Sequence, residues 1–142
     1  MKISAILAIK GTEVVTIQPD RTVRDAARLL ASHNIGGLIV VEEAGSPIGI
    51  LSERDVTQAA ARSDDFLDRH VDDVMTRNPI AGTPEDDVTA VLETMTTNRF
   101  RHLPVMDGGR LVGMISIGDV VKCQLQCYEG EIHMLQHRVM EP

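Results

Sequence analysis

The sequence predicts an α/β protein made of two tandem β-α-β-β-α halves that pack sheet to sheet about a pseudo-two-fold axis. Three observations carry that expectation: residues recur at a nearly fixed offset, each half shows a helical apolar stripe followed by two short apolar runs, and each ends on the spacing Gly-x-x-Ser-x-x-Asp. Val23, Ala26, Ala27 and Leu30 stand 65 positions before Val88, Val91, Leu92 and Met95. The offset holds for Ile35 and Phe100, Leu38 and Leu103, and Val40 and Val105. It then shortens to 64 for Gly49 and Gly113, Ser52 and Ser116, and Asp55 and Asp119. One residue deleted in the intervening turn reconciles the two offsets.

Taken in order, the chain opens on Met1-Lys2 and a mostly apolar run, Ile3 to Ile9, that stops at Lys10 without a small-residue cleavage site. This predicts a short amphipathic helix or arm rather than a signal peptide. Val14–Ile17 reads as a weak opening strand. A helix follows, with Val23, Ala26, Ala27 and Leu30 on one face and Thr22-x-x-Asp25 as a capping-box start. Two apolar strands, Gly37–Val41 and Ile48–Leu51, flank a turn at Glu42–Ser46 that contains Gly45, and a second helix begins at Ser52.

The second half repeats this order. Ile80–Gly82 is its weak opening strand, and Thr83-Pro84-Glu85-Asp86 offers an N-cap, a proline at the first helical position and early acids. Strands Leu103–Met106 and Leu111–Ile115 flank Asp107-Gly108-Gly109, and the last helix starts at Ser116. The halves span residues 8–62 and 79–125. Between them, residues 63–78 pass from Asp64, Asp65, Asp68 and Arg69 to Val71, Val74 and Met75, which predicts a polar linker ending in a short helix that docks. Residues 126–142 form a helical tail whose Ile132, Leu135 and Val139 suit packing on the module or on a dimer partner.

With 142 residues, 43% of them apolar, the chain can bury a substantial core as one domain or two small fused halves. Aromatic residues make up only 2%, too few for base-stacking platforms, and a net charge of −7 opposes a general grip on nucleic acid or an acidic membrane face. No run approaches the ~20 apolar residues of a membrane span. Cys123 and Cys127 are too few and too close for a disulfide framework, so the cytoplasm is the expected compartment. Together with His133 and His137 they lack the Cys-x-x-Cys spacing of structural zinc sites, and no metal is expected.

A serine and an aspartate three apart at a strand end are first of all a helix N-cap pair. The same arrangement also offers a ligand unpaired helix N–H groups, a hydroxyl, and a carboxylate suited to a ribose diol. Both readings stand at this point. Gly49 and Gly113 leave room for a ligand or another backbone to approach. The densest basic cluster, Arg99-Phe100-Arg101-His102, suffices for one phosphate group. Neither a Gly-x-Ser-x-Gly elbow nor a phosphate loop occurs, so an enzyme is not indicated.

Both halves resemble CBS domains, named after cystathionine beta-synthase, and together resemble a CBS-domain pair, or Bateman module, over about residues 8–125. The resemblance rests on the two Gly-x-x-Ser-x-x-Asp segments, Val74-Met75-Thr76, and Arg101-His102-Leu103-Pro104-Val105. It implies a β-α-β-β-α fold and a regulatory sensor without an obligatory cofactor. Such a sensor binds an adenine nucleotide or related adenosyl ligand (AMP, ADP, ATP, NAD(H) or S-adenosylmethionine) in clefts between the halves, and many such pairs are homodimers. Carried over, Asp55 and Asp119 hold ribose hydroxyls, and Ser52 and Ser116 assist at ribose or phosphate. Gly36-Gly37-Leu38 and Arg101-His102-Leu103-Pro104 line the base and phosphate ends. Arg54 pairs with phosphate in the first motif. Gly118 replaces it in the second, which must draw on Arg99, Arg101, His102 or Lys10. The resemblance also implies a free-standing module acting on an unknown partner protein; the alternative is a structural scaffold with unoccupied clefts.

Overall fold

The computed structural model describes the backbone of residues 1–140 and the side chains of residues 1–137. The elements are α1 (Ile3–Lys10), β1 (Thr16–Ile17), α2 (Val23–His33), β2 (Gly37–Val41), β3 (Pro47–Ser52), α3 (Glu53–Arg62), a 3-10 turn (Phe66–Asp68), α4 (Val71–Val74), β4 (Thr76–Arg77), α5 (Val88–Asn98), β5 (His102–Asp107), β6 (Arg110–Ser116) and α6 (Ile117–Met140). The expected α/β order is present in the first half and, apart from its opening strand, in the second.

Local chemistry explains most boundaries. At α2 the Thr22 side chain accepts the Asp25 amide at 3.2 Å while Asp25 accepts the Thr22 amide at 3.3 Å, the reciprocal box read from the sequence. The start of α5 differs from the expectation. Asp86 turns its carboxylate back onto the Thr83 amide (2.9 Å), closing a turn, and Asp87 becomes the N-cap by accepting the Ala90 amide at 3.1 Å. Both helices end on a left-handed residue at equivalent places, Asn34 (φ 53°) and Arg99 (φ 57°).

Strands β1, β2, β3 and β4 form one sheet in that order, and β5 with β6 forms another. The hairpins share a register: Gly37 faces Ser52 as His102 faces Ser116, and Val40 faces Gly49 as Val105 faces Gly113. Each ladder then slips by one residue, after Val40 and after Val105, so the change of offset falls in the turns beyond. Two details depart from the sequence reading. The opening strand of the second half contracts to a single bridge between Gly82 and Val105, and Thr76–Arg77 adds an unanticipated strand antiparallel to β3.

The pseudo-symmetry extends into the segment before each half. The amides of Val71 and Asp72 bond to the carbonyls of Arg21 and Pro19, and those of Ile3 and Ser4 bond to Asp86 and Pro84, all at 2.8–3.0 Å. Helix α1 therefore docks on the second half as α4 docks on the first. The cores show the same exchange: Ile3, Ile6 and Leu7 pack with Val88, Val91, Met95 and Leu103, whereas Val71 and Met75 pack with Ala26, Leu30, Leu38 and Leu51. Gly49 and Gly113 now have a cause. A Cβ at Gly113 would lie 2.6 Å from Leu7 Cδ2, and one at Gly49 would lie 2.6 Å from Met75 Sδ and 2.9 Å from the Thr76 carbonyl oxygen. The room they leave is taken by the docked segments, not by a ligand.

Between the cores the halves meet face to face. Alternation along β2 sends Leu38 and Val40 into the first core, so the fully buried Ile39 faces the other way. Here the His102 ring lies on Gly36 and Gly37.

Candidate functional site

The register places each functional group. Because Gly37 pairs with Ser52 and His102 with Ser116, each strand start lies beside the serine that opens the next helix. The N-termini of α3 and α6 therefore converge on one cleft of about 640 Å³ between the halves. That volume lies in the range of small-molecule sites. The first half contributes Gly36, Ser52, Arg54, Asp55 and Thr76, and the second contributes Arg99, Arg101, His102, Ser116 and Ile117.

Both serine–aspartate pairs are complete caps. The Asp55 amide donates to Ser52 Oγ at 3.3 Å, and the Ser52 amide donates to Asp55 Oδ2 at 2.9 Å. The corresponding distances for Asp119 and Ser116 are 3.1 and 2.8 Å. Capping is thus a structural role of these residues, and each caps with only part of its hydrogen-bonding capacity. Beyond the cap the two aspartates differ. Asp55 lines the cleft and its Oδ1 accepts only a long bond, 3.3 Å, from the Thr76 hydroxyl. Asp119 is ion-paired with Lys10, Nζ to Oδ2 at 2.6 Å, and the same ammonium donates to the Met114 carbonyl at 2.7 Å. Burial pushes the Asp119 carboxyl up, but the Lys10 hydrogen bond, the Ser116 bonds and the Lys10 charge outweigh it and hold it below the ordinary carboxylate range.

His102 is the junction of the site. Its imidazole is held below the ordinary histidine value first by burial and then by the positive charge of Lys10, with Asp119 and Glu53 opposing. The ring is therefore neutral near pH 7, able to donate one hydrogen bond and accept another.

Of the residues expected from the sequence, Ser52, Arg54, Asp55, Arg101, His102 and Ser116 come together on the cleft. Gly37 lies buried beneath His102, and its neighbour Gly36 lines the cleft instead. Leu38 turns its side chain into the first core. Pro104 is buried in β5, where its carbonyl accepts the Gly82 amide at 2.9 Å. Asp119 is held by Lys10 beside the cleft. Sequence reasoning missed Glu53, Thr76, Asn78 and the apolar wall of Ile50, Ile80, Phe100 and Ile117. Only Thr76, in the Val74-Met75-Thr76 segment, carried a signal.

Chemically, the cleft joins three guanidinium groups and two helix N-termini, which suit an anion, to a carboxylate that suits a diol and an apolar wall that suits a ring. Among the described residues, no group of three or more His, Cys, Asp or Glu is placed to hold a metal ion, and no helix is long and apolar enough to cross a membrane.

The family model for the CBS domain matches the chain twice, over residues 8–62 and 71–125. A solved CBS-domain-containing protein from Agrobacterium tumefaciens is 40% identical, with a TM-score of 0.84, over 87% of this chain and 92% of that one. A CBS domain protein from Pyrobaculum aerophilum, complexed with AMP, is 29% identical with a TM-score of 0.75, over 84% and 89% of the two chains. The CBS domain pair of protein MJ0100, in complex with 5′-methylthioadenosine and S-adenosyl-L-methionine, is 27% identical with a TM-score of 0.78, over 87% and 98%.

Proposed function

Since this chain belongs to the CBS-domain family, we propose that its interhalf cleft binds an adenine nucleotide or related adenosyl ligand and that occupancy regulates a partner protein. The observation that carries the proposal is the convergence, on one cleft, of Ser52, Arg54 and Asp55 with Arg101, His102 and Ser116. Asp55 accepts from the ribose hydroxyls through Oδ1, the carboxylate oxygen its cap leaves available. Arg54, Arg99 and Arg101 neutralise phosphate, and Phe100 with Ile80 and Ile117 offers the base an apolar surface. Two of the similar proteins bind AMP or S-adenosylmethionine, which supports this ligand class.

The two halves are unequal in this reading. The Asp55 side is open, while Lys10 holds Asp119, so one ligand binds per chain. Release of Lys10 creates the second ribose anchor. The module acts as a homodimer and by binding, not catalysis, and transmits occupancy through the contact between the halves, where His102 meets Gly37. Calorimetric titration with AMP, ATP, NADH and S-adenosylmethionine tests the reading. One of them binding at one per chain, with loss in Asp55→Ala, sustains it. Failure of all four below millimolar concentration returns the chain to the scaffold reading, which the completed caps at Ser52 and Ser116 favour.

A further inference from the structure

Helix α6 begins in the second core, where Val120 and Cys123 are buried, and continues to Met140. A side adjoining that buried face carries a continuous apolar stripe. Val121, Leu125, Tyr128, Ile132 and Leu135 are 44, 55, 57, 54 and 59% exposed. The steps along the stripe are 4, 3, 4 and 3 residues. That averages 3.5, the period of a seam covered by another supercoiling helix. Val139 continues the spacing in the sequence, with its side chain outside the described residues.

We propose that this stripe is a self-association surface, on which the α6 of a second copy of the chain packs antiparallel. Flanking charge selects both the occupant and its direction. With Leu125 and Ile132 at a positions and Val121, Tyr128 and Leu135 at d positions, Lys122 and Glu129 fall on one flank and Gln124 and Glu131 on the other. A parallel pair brings Gln124 to Glu129 and Glu131 to Gln136, with no opposite charges matched. In the antiparallel pair Leu125 faces Tyr128 and Val121 faces Ile132. Like flanks then meet, so that Lys122 of each copy lies opposite Glu129 of the other, two ion pairs related by the two-fold axis. Self-complementarity of this kind is a property of a surface that meets its own copy. The surface goes beyond the ligand reading: it gives the homodimer a location, and its test is blind to whether a nucleotide binds.

Sedimentation of the full chain across micromolar concentrations, without nucleotide, tests this. The wild type is expected to be a dimer. Ile132→Glu, an exposed substitution remote from both cores, is expected to weaken it by about tenfold or more, with circular dichroism and the thermal midpoint of the body unchanged. Lys122→Glu and Glu129→Lys each weaken the dimer, and their combination restores it. A wild type that stays monomeric overturns the proposal and assigns the stripe to a different protein. A dimer indifferent to Ile132→Glu overturns it by locating the contact elsewhere. Failure of the charge swap to restore the dimer overturns the antiparallel register.

Discussion

Gly37→Ala is a small change with a large expected consequence. Gly37 has no positive φ, so alanine suits its backbone. A Cβ there would nevertheless lie 2.8, 2.9 and 3.0 Å from Cδ2, Nε2 and Cγ of His102. These are atoms of a rigid ring, so the conflict is relieved only by moving the ring or separating the halves. Overpacking of this kind costs about 1–3 kcal/mol. Restricting the unfolded chain returns about 0.4–1 kcal/mol. The net loss is about 1–2 kcal/mol, or roughly 3–8 °C in the thermal midpoint for a chain of this size. In a His102→Ala background the conflict vanishes, and Gly37→Ala becomes stabilising by about 0.4–1 kcal/mol. Thermal and urea denaturation of the four proteins completes a double-mutant cycle. Equal cost of Gly37→Ala in both backgrounds would refute the idea that the His102 ring needs a glycine beneath it.

The other outcomes concern the docked segments and the titrating groups. Gly49→Ala should cost more than Gly113→Ala, measured by urea denaturation, because the former meets the Thr76 backbone carbonyl and the latter the flexible end of Leu7. Lys10→Gln should destabilise the protein by about 1 kcal/mol, since the pair with Asp119 is partly buried. In calorimetry the same variant should raise ligand stoichiometry from one to two per chain, and in an NMR titration it should move the His102 pKa upward. Stability should fall as the pH drops below 6.5, because the unfolded chain then takes a proton that buried His102 resists. It should fall again below pH 3.8, as Asp119, whose folded value is depressed, loses its contribution on protonation. Thermal midpoints across that range check both steps, and His102→Gln should remove the first.

Much of this was legible in the sequence because it depends on periodicity and local capping. The repeat, both hairpins, the Thr22 box and the Ser–Asp pairs all follow from spacing within a few residues of the contact they make. What escaped depends on which half a segment joins. The pairing of α1 with the second half is set by Leu7 against Gly113 and by amides 83 positions or so away, which no local pattern encodes. For the same reason β4 was unread: Thr76 and Arg77 are an edge addition whose pairing is decided by the docking of Met75 over Gly49. The inequality of the two motifs was visible in Arg54 against Gly118, but its larger cause, the Lys10–Asp119 pair spanning 109 positions, appears only in the fold.

Calorimetric titration of AMP, ATP, NADH and S-adenosylmethionine into the wild type, Asp55→Ala and Asp119→Ala is the most direct measurement. The wild type should bind one of these ligands at one per chain. Loss of the carboxylate hydrogen bonds in Asp55→Ala should weaken binding by about tenfold to a hundredfold, while Asp119→Ala leaves affinity near that of the wild type. Equal losses in the two variants, or two equivalent sites in the wild type, would contradict a single working cleft built on Asp55.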